Sequence, residues 1–103
     1  MNPPSKPAQM GFDEIRQNFD AAYSYLLFEK TSDPEDSAGF NKISTFLSRH
    51  RKGIHKQSLF YDKDEKKLML VVKLAPNQKE DVMKDIFSLS LSKDITFYAY
   101  DFP

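Results

Sequence analysis

The most distinctive chemistry lies in one basic segment, Arg49-His50-Arg51-Lys52-Gly53-Ile54-His55-Lys56. Arg49, Arg51, Lys52 and Lys56 place four formal positive charges in eight residues of a chain whose 15 Lys+Arg balance 15 Asp+Glu. Guanidinium and ammonium groups at this density suit a phosphate ligand, an acidic partner or RNA. A helix end followed by a solvated loop accounts for the same charges, because cations complement the negative end of a helix dipole. No glycine-rich loop or aromatic stacking motif accompanies the segment, so dipole complementation is the favoured reading and nucleic acid is the alternative.

Catalytic and metal chemistry finds little purchase. His50 and His55 are the only histidines; their spacing of five straddles a predicted helix end and is not the i, i+4 pattern of a helical metal pair. The expectation is a partly buried His50, an exposed His55 and no metal site. Absence of Cys excludes a disulfide scaffold, a thiolate zinc site, an iron–sulfur cluster and a cysteine nucleophile. Glycines at 11, 39 and 53 are too scattered to cradle a phosphate, and no P-loop, G-x-G-x-x-G, G-x-S-x-G or H-E-x-x-H occurs. Most of the ten Asp and five Glu stand in first helical turns or beside lysines, where capping and solubility explain them. The chain therefore reads as non-enzymatic and without a cofactor.

A second concentration is aromatic: nine Phe and five Tyr, with no Trp. In the last apolar run, strand alternation puts Phe97 and Ala99 on one face and Tyr98, Tyr100 and Phe102 on the other. Tyr25 and Phe28 stand about half a turn from the apolar stripe of the first predicted helix. Aromatic rows outside a core suit interfaces, where Tyr combines area with a hydroxyl. Cover by a further helix or by the N-terminal segment is the competing explanation. The final run has no proline before Pro103 and no lysine in its body, so it lacks the usual protection of an edge strand. A partner strand, or a sheet continued across a homodimer, would supply that protection.

The elements that must position these residues follow from periodicity. Residues 1–10, with three of the six prolines, are expected to be a flexible tail, and 11–103 a single α+β domain. Phe12, Ile15, Phe19, Ala22, Tyr23 and Leu26 step by three and four, which predicts a helix over 12–30. Asp33-Pro34 and Gly53 bracket a second helix near 34–51, and the short connection predicts a helical hairpin. Residues 58–61 and 67–74 read as two strands about a charged turn. Either plausible loop length puts Leu59 and Tyr61 on the face of Leu68 and Leu70, opposite a mixed, half-exposed face of Lys67, Met69, Val71 and Lys73. Asn77 and Glu80 resemble a capping box opening a third helix, and 95–102 is a strand.

The order is α-α-β-β-α-β. It predicts a helical hairpin followed by a small three-stranded, mostly antiparallel sheet, with helices on one face and the hairpin's first strand at the centre. The ββαβ part resembles half of a ferredoxin-like unit in topology alone, which carries no function. No stretch approaches the length of a membrane span and the N-terminus has no apolar signal region, so a cytoplasmic protein without membrane contact is expected. The leading functional expectation is a protein–protein interaction module, homodimeric through Tyr98, Tyr100 and Phe102, with Tyr25 and Phe28 as second-rank contacts. A nucleic-acid or phosphate binder using residues 49–56 stands second. A small-molecule sensor or small enzyme, with a pocket between helices and sheet, stands third.

Overall fold

Two apolar runs dictate the centre of the sheet. Tyr25-Leu26-Leu27-Phe28 and Leu68-Met69-Leu70-Val71-Val72 show no polar interruption, and a strand apolar on both sides must be covered on both faces. In the computed structural model, which describes residues 8–33, 37–49 and 53–102, these runs lie in adjacent strands and every residue of both is buried.

The strands are β1 (Ala8–Met10), β2 (Ser24–Lys30), β3 (Ile54–Asp62), β4 (Lys67–Leu74) and β5 (Ile95–Tyr100). They form one mixed sheet in the order β1-β3-β4-β2-β5. Only β1 runs parallel to its neighbour, β3; the other three pairings are antiparallel. The helices are α1 (Phe12–Arg16), α2 (Asn41–Arg49) and α3 (Lys79–Phe87), the last two each preceded by a 3-10 turn. From β2 onward the chain runs β-α-β-β-α-β, the element order of split-βαβ, ferredoxin-like units.

The two faces of the sheet carry separate cores. On the first, Leu26, Phe28, Leu68, Leu70, Val72 and Leu74 pack against Phe40, Ile43 and Leu47 from the α2 side and Val82 and Ile86 from α3. On the second, Tyr25, Leu27, Met69 and Val71 are buried with Ile15 of α1. The β3–β4 register pairs Leu59 with Leu70 and Tyr61 with Leu68, which puts all four on one face as the alternation predicts.

The α+β class stands, and its arrangement needs four corrections. Only residues 12–16 of the expected 12–30 helix are helical, and 24–30 is a strand. The steps of three and four end in a run of four consecutive apolar residues, and that run is satisfied equally by a doubly covered strand. The expected helical hairpin is therefore absent: α1 and α2 sit on opposite faces. The sheet has five strands, with β2 inserted between β4 and β5, so the second strand of the hairpin is central. Met69 and Val71 are 0% and 5% exposed, because α1 and the segment after it cover the face expected to be half open.

Smaller differences concern the ends of elements. Residues 8–10 of the expected tail form β1; the expectation for 1–7 lies outside the described residues. The second helix begins as a 3-10 turn at Ser37 and becomes α-helical at Asn41, with 34–36 and 50–52 outside the described residues. Asn77 does not cap α3; Pro76 starts a 3-10 turn instead, and Gln78 precedes the helix without a side-chain cap. Gly53 has φ +96, and a Cβ there would stand 2.5 Å from Gln78 Cγ, so this position requires glycine.

Candidate functional site

The second face collects most of the unusual chemistry. After α1 the chain crosses the sheet as a coil, held by Tyr25, whose hydroxyl accepts a 2.6 Å hydrogen bond from the Asp20 N–H. Phe19 lies flat on the Tyr25 ring, at 3.9 Å between centroids and 7° between planes. It meets Tyr100 edge-on at 5.0 Å. Phe102 stands edge-on to Tyr100 at 5.2 Å. Edge and offset contacts of this kind stabilise a cluster beyond its area burial.

The predicted aromatic contacts therefore divide. Tyr98 and Phe102 are exposed, at 40% and 39%. Tyr100 is half-buried beneath Phe12 and Phe19. Tyr25 and Phe28 are 3% and 0% exposed and belong to the two cores, which corrects their placement on an open helix face. Tyr25 is committed to holding the coil, and Phe28 stacks on Phe97 at 5.2 Å. Periodicity misses Phe87, at 74% the most exposed large hydrophobic residue among those described, whose ring lies 5.2 Å from Phe97. Its position at the end of an apolar helical stripe gave no sign that it would overhang the sheet edge.

Next to Tyr98 lies a polar cluster. The Tyr98 hydroxyl donates a 2.9 Å hydrogen bond to Glu29 Oε2, which also pairs with Lys67 Nζ at 2.8 Å. Partial burial of the hydroxyl end pushes Tyr98 well above its ordinary pKa, and the Glu29 hydrogen bond and the charges of Glu29 and Asp62 push it the same way. It is a neutral donor at physiological pH and is unsuited to act as a base. Asp62 is fully buried, and its Oδ1 accepts from the N–H groups of Asp64 and Glu65, which shapes the β3–β4 turn. Its Oδ2 has no hydrogen-bond partner among the described residues. No group of three or more metal-ligating side chains occurs among the described residues.

The basic segment does not assemble as a unit in what is described. Arg49 ends α2 and is exposed, Lys56 lies on β3, and Arg51, Lys52 and His50 fall outside the described residues. His55 is exposed, with its ring 4.9 Å from that of Tyr23. Lys56 instead faces Lys73, its register partner on β4. Sequence reasoning placed Lys73 on this face but had no means of joining it to Lys56. Among the described residues, no helix is long and apolar enough to cross a membrane.

No known protein family, curated protein or solved structure matches the chain. The functional reading therefore rests on the geometry above.

Proposed function

We propose that this chain is a non-enzymatic protein–protein interaction module that self-associates through β5, continuing its sheet into a second copy. One observation carries the reading. Phe87, Tyr98 and Phe102, the exposed large hydrophobic residues among those described, all lie on or beside the same sheet edge. Phe87 flanks it from the helical face, and Tyr98 and Phe102 from the other. Apolar side chains on both sides of an open edge favour strand addition, in which main-chain hydrogen bonds supply affinity.

A second copy suits this edge better than a charged partner. The strand Ile95–Tyr100 contains no charged residue, so an antiparallel copy would oppose no like charges across a twofold axis. The chain's formal net charge of zero adds no long-range repulsion.

Light scattering on the full chain over a wide concentration range is the test, with Phe87→Glu and Tyr98→Lys as edge variants. The expected result is a dimer for the parent and monomers for both variants, with unchanged circular dichroism. A parent that stays monomeric at the highest concentration removes the homodimer. Tyr100→Asp is a poor probe, because Tyr100 also holds the Phe12–Phe19 cluster. Retention on heparin that falls steeply with salt would favour the nucleic-acid alternative through Arg49, Arg51, Lys52 and Lys56.

A further inference from the structure

Away from β5, a cavity of about 330 Å³ opens between the α1 segment and the second face of the sheet. Its walls are mixed: Ile15, Phe19, Phe60 and Val71 form the apolar part, and Asn18 adds a polar group on the α1 side. Lys56, Lys73 and Ser58 also line it.

The lysines are placed by a backbone irregularity. Ile54 pairs with Leu74, yet Lys56 pairs with Lys73, so His55 is the extra residue of a β-bulge. In regular pairing, His55 would have opposed Lys73. A bulge re-aims side chains, and this one brings a second cation to the cavity. Like charges directly opposite each other on a sheet are destabilising. Among the described residues, Lys73 alone gains relief, its Nζ lying 4.3 Å from the centre of the Tyr23 ring. No ion pair joins Lys56 or Lys73 to an acid among the described residues. Lys56 is exposed, so water screens the pair and the cost is small, but a bound anion would remove it and gain two charge-assisted contacts.

We propose that this cavity binds a small organic carboxylate, with its apolar body between Phe19 and Phe60 and its carboxylate between Lys56 and Lys73. The Ser58 hydroxyl is available as a further donor to the same group. The volume stands at the lower end of the roughly 300–1,000 Å³ typical of ligand pockets, which selects a compact aromatic or short aliphatic acid. An inorganic anion alone would leave the apolar walls unused, and a neutral apolar molecule would leave the lysine pair uncompensated.

The test is a two-dimensional NMR titration of the full chain with 3-phenylpropanoate, 3-phenylpropanamide and acetate. The phenylpropanoate should give saturable shifts at the amides of Ser58, Phe60, Val71 and Lys73. The amide and acetate should each bind about tenfold more weakly or less, as expected for loss of a charge-assisted contact or of the apolar body. Lys56→Gln and Lys73→Gln should each weaken the carboxylate about three- to tenfold and leave the amide unchanged. Ser58→Phe, which fills the cavity, should abolish both; if that variant fails to fold, the lysine variants decide. Equal binding of acid and amide, shifts confined to other surfaces, or no saturable binding of phenylpropanoate would overturn the proposal.

Discussion

The two faces of the sheet differ in kind. The helical face is sealed by α2 and α3 over a mainly aliphatic core, in which Leu26, Ile43, Leu47, Val72 and Leu74 are all 0% exposed. The other is covered by a five-residue helix and a coil, and it mixes rings, hydroxyls, lysines and an open cavity. A five-residue helix has almost no stability of its own, so its cover depends on the rings beneath it. The contrast sets a face packed for stability against one that holds most of the proposed binding groups. The proposed cavity lies on the second face, whereas the proposed contact edge takes Tyr98 and Phe102 from that face and Phe87 from the helical one.

The largest effect should come from the sealed face. Phe28→Ala removes a fully buried ring stacked on Phe97 and should cost about 3–5 kcal/mol in urea unfolding. Phe19→Ala removes a half-buried ring from the coil and should cost less, about 1–2 kcal/mol. It should also speed amide exchange across 12–23 without affecting α2 or α3. If the two substitutions cost the same, the division between faces fails.

These outcomes bear on how much of the molecule could be read from its sequence. The runs in β4 and β5 were legible because their alternation or β-branched and aromatic content admits little else. The second face of β4 was misjudged, since the cover for Met69 and Val71 comes from residues far away in the chain. Tyr25-Leu26-Leu27-Phe28 fits a helical stripe and a doubly buried strand equally well, so periodicity alone assigns Tyr25 and Phe28 to the wrong element. β1 has three residues, two of them exposed, and leaves no pattern. Tyr98 and Phe102 were legible as exposed aromatics. Lys56 was visible as a charge, but its pairing with Lys73 depends on a bulge that no local rule specifies.

A smaller effect concerns Tyr98 and pH. Its hydroxyl is held above the ordinary value of 10.0, first by burial and then by the bond to Glu29. The unfolded chain releases this proton near the ordinary value, while the folded chain keeps it to higher pH. Stability from this group is therefore complete below about pH 10 and falls as pH rises through the unfolded pKa toward the folded one. Tyr98→Phe should cost about 0.5–1 kcal/mol at neutral pH and flatten the alkaline fall, as measured by thermal melts across pH. An unchanged alkaline limb would place the titration elsewhere.

The smallest effect has the opposite sign. Lys56→Gln relieves the facing lysines and should stabilise the ligand-free protein by a few tenths of a kcal/mol, read as a slightly raised melting temperature. A lowered one would mean that Lys56 has a stabilising partner and that the pair carries no cost.

Self-association through β5 is tested most directly by amide hydrogen exchange along the two edge strands, β1 and β5, at high and low protein concentration. Pairing between copies predicts that the outward N–H groups of β5 are protected in concentrated protein and exchange freely on dilution, while β1 is unaffected. Equal exchange of β5 at both concentrations would contradict it.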